Sequence, residues 1–350
     1  MLIIPVQLLP LNKPQHYYYS FMEKVRDARF DTLKGFLMLS VVFGHFFSHN
    51  TTHGLVSETI ANFIYSYHMP LFVFVSGYFT KNKKVVRGIL RLLETYVVYQ
   101  LIKGLLGSHS IMEMLVEPRP MLWYLLALIY WRLLYYGIES IDAKVSWRII
   151  VVFILLSLGA GFLPSVGREF ALSRSIFFAP FFFLGILAQK IQIIDVVKEK
   201  VGFKTGVIVL VVALVLAAVF AYTKIRVRSV FAGTSHYPLD SQWIYMLARL
   251  INYFTAVVIS IAFIRVFSFE NKVMGNIGKD SLKYYMFHGL FLMGVEFLHL
   301  PWSTLLAFLY GTVVTIVIYL FNKTWLSDFA VTPISFIIDK INAKKLKNNG

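Results

Sequence analysis

The feature that most constrains this chain is a succession of apolar runs about 17 to 25 residues long, separated by short polar breaks. A helix of that length spans a hydrocarbon core roughly 30 Å thick, and inside such a core a helix satisfies its own backbone hydrogen bonds. Ten spans are predicted, near residues 33–49, 59–79, 88–107, 121–138, 147–163, 174–191, 205–223, 243–266, 281–299 and 302–322. Strand alternation is absent, which argues against a membrane β-barrel. With 58% hydrophobic and only 15% charged residues, the chain has too little polar surface to cover a soluble globule. The expected fold is therefore all-α and polytopic, a single membrane domain of about ten transmembrane helices over residues 29–322. A lead-in over 1–28 precedes it and a tail over 323–350 follows.

The net charge of +16 invites a nucleic-acid reading, but the positions of the bases argue otherwise. If the N-terminus is cytoplasmic, most of the 34 lysines and arginines fall on the cytoplasmic side. Lys103, Arg119, Arg168, Arg174, Lys224, Arg226 and Arg228 fall on the other side, and Lys34 and Arg249 fall within spans. The charge thus reports orientation, with both termini cytoplasmic, and its expected partners are membrane lipids or a cytosolic anion rather than nucleic acid. The chain has no cysteine, so neither a disulfide framework nor thiol catalysis is available. No small-residue cleavage site precedes the first span, which is expected to act as its own insertion signal.

Ionisable groups inside spans are costly and default to functional candidates. In "RFDTLKGFLMLSVVFGHFF", residues 29 to 47, Lys34 and His45 are eleven residues apart. That spacing is three helical turns and about 20°, so both side chains fall on one face, roughly 16 Å apart along the axis. The alternative is that Lys34 snorkels to the interface and His45 hydrogen-bonds a neighbouring helix. In "YSYHMPLFVFVSGYF", residues 65 to 79, Pro70 interrupts the helical ladder and frees carbonyls beside His68. Lys84, Arg87 and Arg91 recur at helical spacing where the third span begins, a stripe suited to a phosphate-bearing cytosolic ligand. His288 and Glu296 lie two turns apart in the ninth span, and Arg249 sits about two turns into the eighth. Glu296 is flanked by Val295, Phe297 and Leu298, where a carboxylate is hard to keep for packing alone.

Four blocks carry a family resemblance. "RFDTLKGFLMLSVVFGH", "YHMPLFVFVSGYF", "LWYLLALIYWRLL" at 122 to 134 and "DSLKYYMFH" at 280 to 288 resemble, in order, blocks of the acyltransferase-3 family of integral-membrane acyltransferases. The likeness is strongest to its fucose 4-O-acetylase-like branch, and "RSIFFAPFFFLG" at 174 to 185 is a weaker fifth block. The resemblance implies transfer of an acetyl or other small acyl group from cytosolic acetyl-CoA to a sugar hydroxyl. The acceptor would be a cell-surface polysaccharide or lipid-linked glycan precursor, and the location a bacterial plasma membrane. It makes His45 the catalytic base or transient acyl carrier, with Glu296 orienting its imidazole. Lys34, Arg87 and Arg91 would hold CoA phosphates. The family often places two arginines two residues apart at the start of the third span; Arg87 and Arg91 are three apart, and the pair with the shorter gap is Lys84 and Arg87. His68, Arg249, Trp123 and His288 would contact or flank the acceptor, and no metal is expected. The rival reading is a transporter or flippase for a lipid-linked sugar, in which broken helices and buried ionisable groups are equally at home.

Overall fold

The computed structural model describes residues 27–48, 54–81, 85–106, 110–118, 121–138, 143–189, 191–225, 227–234 and 236–348. The lead-in before residue 27 and Lys84 of the basic stripe lie outside the described residues. Among the described residues the chain is helical throughout, with no strand. The bundle is built from α1 (Ala28–Ser48), α2 (Leu55–Tyr78), α3 (Val85–Leu106), the short α4 (Ile111–Val116), α5 (Trp123–Gly137), α6 (Ala143–Ala160) and α7 (Leu172–Ala188). It continues with α8 (Ile193–Lys200), α9 (Phe203–Tyr222), α10 (Val227–Ala232), α11 (Gln242–Val266) and α12 (Lys272–Lys279). It closes with α13 (Ser281–Phe297), α14 (Thr304–Phe321), α15 (Trp325–Val331) and α16 (Pro333–Asn348).

A helix occupies each of the ten predicted apolar segments, but among the described residues five are long and apolar enough to cross a membrane by themselves: α1, the stretch Glu169–Ala188, α9, α11 and α14. The others are shortened or diluted for a physical reason. α2 buries Asn62 and His68, α3 buries Thr95, Gln100 and Lys103 and carries exposed charges besides, and α5 and α13 have 15 and 17 residues. A helix sheltered by its neighbours need not be apolar all round, whereas one facing lipid must be. α9 shows the lipid-facing extreme, almost wholly apolar and with just Gly206 and Ala217 buried along its length.

Apolar helices gain little from leaving lipid for each other, so their packing depends on close backbone approach. Two crossings achieve it with glycine pairs. A Cβ at Gly77 of α2 would stand 1.9 Å from the Phe182 carbonyl oxygen of α7, and one at Gly185 of α7 would stand 2.0 Å from that of Phe74. Likewise a Cβ at Gly35 of α1 would meet the Met274 carbonyl at 1.9 Å, and one at Gly278 of α12 the Asp31 carbonyl at 2.0 Å. α1 and α2 thus become the axis of the bundle. α1 packs on α2, α12, α13 and α14, and α2 on α1, α7, α9 and α11.

Segments expected as loops and tail are partly helical. α8 and α12 lie in the 192–204 and 267–280 connections, and α15 and α16 occupy the tail. Their sequences alternate charge with apolar residues at helical spacing, which suits a helix lying across the end of a bundle. α12 is held at the start of α1, where the Asn271 amide donates to Thr32 Oγ1 at 2.9 Å and the Asn271 side chain caps Met274 N at 3.0 Å. At the same end of the bundle, Lys283 bridges to Asp328 at 2.8 Å and Arg29 to Asp195 at 2.5 Å. Glu94 accepts from the backbone of Ile334 and Ser335, capping the start of α16.

Candidate active site

At the far end of α1, about 25 Å along the axis from Ala28, His45 meets residues from α2 and α13. Its ring stacks on His288 with centroids 5.4 Å apart and meets Tyr65 edge-on at 6.4 Å. Tyr65 in turn packs edge-on against His68 at 4.9 Å, and its hydroxyl pairs with Ser48 Oγ at 3.0 Å. Three of the histidines named from sequence are therefore brought together.

Their hydrogen bonding separates them. His68 Nδ1 donates to the Ile64 carbonyl and His288 Nδ1 to the Tyr284 carbonyl, each at 2.8 Å. A carbonyl only accepts, so these bonds fix the proton on Nδ1 and leave Nε2 bearing the lone pair in the neutral ring. His68 and His288 are buried, at 4% and 0% exposure, and His288 Nε2 has no hydrogen-bond partner among the described residues. His45 differs from both. It keeps a partly exposed face, and neither of its ring nitrogens bonds a described residue. Of the three imidazoles it alone is both reachable and uncommitted.

Two cations outside the sequence-based candidates complete the surroundings. Lys103 near the end of α3 and Arg174 in the first turn of α7 both act electrostatically on His45. Lys103 is buried at 3% exposure, and its Nζ would lie 3.0 Å from a Cβ at Gly289, next to His288. Arg174 stacks its guanidinium 4.7 Å from the Trp123 ring, which itself stacks on Phe178 at 5.2 Å. Trp123 thus reaches the cluster as the platform under Arg174. Tyr285 adds a wall; its hydroxyl donates to the carbonyl of Met121, a residue with a positive φ of 74°, and its ring lies 5.7 Å from His288.

Both cations were counted from sequence among the non-cytoplasmic bases, and each left a signal. Lys103 is followed by Gly104, Leu105 and Leu106, so it lies inside the apolar run, and Arg174 opens the block "RSIFFAPFFFLG". Which of these bases turns toward His45 is decided only by helix packing.

The remaining candidates are placed elsewhere or differently. α1 and α13 are adjacent, but Glu296 lies exposed near the end of α13, and the ionic contact recorded for it is with Lys103. Arg249 is buried away from the cluster, where it donates to the Ser157 carbonyl at 2.6 Å and stacks over Tyr237 at 4.8 Å. Lys34, at the opposite end of α1, lies 5.9 Å from the Phe79 ring centroid. Near that end Arg87 is exposed and Arg91 pairs with Asp339 at 2.5 Å. The described residues hold no group of histidine, aspartate and glutamate arranged for a metal ion.

The described residues thus form a helical bundle with membrane-length apolar helices and a partly exposed histidine set among cations and buried tyrosines. The comparison with known families supplies the class: the acyltransferase-3 model, described as an acyltransferase domain, matches residues 27–323. The chain belongs to that family and is a membrane acyltransferase. No curated protein and no solved structure matches the chain.

Proposed function

We propose that the protein moves an acetyl or similarly small acyl group from cytosolic acyl-CoA to a sugar hydroxyl of a surface polysaccharide or lipid-linked glycan precursor. The observation that carries this reading is His45. It is partly exposed, with both ring nitrogens uncommitted among the described residues, at one end of a helix that carries Lys34 at the other. In this orientation the basic end of the bundle is cytoplasmic. The CoA head group then meets the Lys34 end, with Arg87 and Arg91 close to the same interface. Lys34 lies beside the Phe79 ring and Arg87 is exposed near the same interface, while Arg91 must first release Asp339. The pantetheine arm runs along α1 and presents the thioester to His45.

The chemistry follows from the tautomers. A hydroxyl attacks poorly until its proton is removed during attack, and a positioned imidazole contributes about 10²- to 10⁴-fold to such a step. His45 accepts the hydroxyl proton as the sugar oxygen bonds to the thioester carbonyl carbon. The tetrahedral intermediate collapses, the carbon–sulfur bond breaks, and the thiolate leaves with the proton returned by His45. His68 and His288 have their Nδ1 hydrogens committed to carbonyls, so their part is to hold the wall of the chamber. Lys103 supplies positive charge beside the developing oxyanion.

The deciding experiment incubates the purified protein with labelled acetyl-CoA and follows free CoA release and label on added glycan. Acceptor-dependent transfer supports the reading. Sugar-dependent stabilisation without any CoA response points to transport.

A further inference from the structure

Arg174 poses an unanswered electrostatic question. Its Nε is buried without a hydrogen-bond partner, and its terminal amino groups donate to no described residue. The groups it interacts with are the Trp123 face, the phenols Tyr65 and Tyr285, and another cation, Arg168. No carboxylate is among them, whereas the nearby Lys103 has Glu296 within electrostatic reach. A guanidinium held in a low-dielectric bundle without a counter-anion is unfavourable unless something supplies the charge. Stacking on Trp123 fixes the guanidinium plane while leaving its edge free, the arrangement that pairs bidentately with a carboxylate or phosphate.

The anion is not the CoA head group. The CoA phosphates belong at the Lys34 end, about 16 Å along α1 from His45, and Arg174 acts on His45 itself. We infer that Arg174, seated on Trp123, binds a carboxylate or phosphate carried by one of the reacting substrates, close to the atoms that react at His45. A uronic acid or sugar phosphate in the acceptor would carry such a group, as would the free end of a dicarboxylic acyl donor. The inference rests on the transfer reading for its role, but its binding component can be measured without any acyl-CoA. Arg168, exposed beside Arg174, adds positive charge that draws an anionic ligand toward the same place.

The test uses the full chain in detergent and compares methyl glucoside, methyl glucuronide and glucose 1-phosphate by thermal stabilisation, with no CoA present. The anionic probes should bind at least tenfold tighter than the neutral one. Arg174→Gln should bring that ratio close to one, and Arg174→Lys should keep part of it. Should Arg174→Gln fail to accumulate, the wild-type preference for anionic probes should still shrink steeply with added salt. Equal binding of neutral and anionic probes, or an anionic preference unchanged in Arg174→Gln, overturns the inference. Turnover then assigns the anion. A tenfold Arg174-dependent preference for the uronide with acetyl-CoA places it on the acceptor. The same preference for succinyl-CoA over acetyl-CoA with the neutral sugar places it on the acyl group. If no acyl-CoA supports transfer while Arg174-dependent binding persists, the transfer reading fails and the anion site stands.

Discussion

The two ends of α1 are both rich in charge, yet they handle it in opposite ways. At the Ala28 end most charges are spent on structure. Arg29 pairs with Asp27 and Asp195, Lys283 with Asp280 and Asp328, Arg91 with Asp339, and Glu94 caps α16. At the His45 end, among the described residues, the Arg174 side chain meets aromatic rings and another base, and the His45 ring meets rings and cations. Counting charges would rank the first end as the site. Asking which charges lack an internal partner among the described residues points to the second, because an uncompensated charge in a low-dielectric bundle is costly.

The largest predicted effect tests the second end directly. His45→Ala should lower acyl transfer by about 10²-fold or more while the protein inserts and elutes normally. A rate within twofold of wild type, at matched protein level in membranes, removes His45 from the chemistry.

Next comes the scaffold that holds the ends apart. Gly185→Val puts a branched side chain against the Phe74 carbonyl and should cost about 3 kcal/mol or more, separating α2 from α7. Size-exclusion profile and melting temperature check it; an unaltered profile with normal melting would mean that the crossing is looser than described. A smaller effect is expected at the Ala28 end. Lys34→Ala should raise the acyl-CoA concentration needed for half-maximal rate several-fold with little change in kcat. Arg91→Ala should change stability by less than about 1 kcal/mol, since its pair with Asp339 is exposed. If instead Lys34→Ala lowers kcat and leaves the acyl-CoA dependence alone, the division of labour between the two ends is wrong.

The smallest effect concerns pH. Arg29 hydrogen-bonds Asp195 on α8 and holds its carboxyl below the usual value of 3.8. A depressed folded-state pKa stabilises above the unfolded value and loses that stabilisation as pH falls through the folded value. Asp195→Asn should therefore flatten the acid limb of the stability curve slightly, by about 0.5 kcal/mol or less for so exposed a pair. The difference from wild type should be present near neutrality and vanish at low pH; a difference that persists at the acid end would show that the bridge does something other than this ionic linkage.

Much of the architecture is legible in the residues. Apolar runs of bilayer length locate the helices because the chain must hide its backbone inside the hydrocarbon. The eleven-residue gap puts Lys34 and His45 toward opposite ends of α1, since helical rise and twist are local properties. His68 and His288 were also readable, as polar groups kept where lipid would reject them, and Trp123 through the family-like block that holds it. The parts that were not readable depend on contacts between distant segments. Arg249, equally conspicuous in sequence, turns to the Ser157 carbonyl and Tyr237, while the loop-like Lys103 and Arg174 turn to His45. Glu296 approaches Lys103 from the adjacent helix. Sequence alone thus determined which segments are helices and which residues are too polar to be idle, because both follow from transfer of single groups out of water. Only the tertiary structure decided which charges pair internally and which surround His45, because pairing is set by helix crossings, glycine-mediated at two places, between segments far apart in the chain.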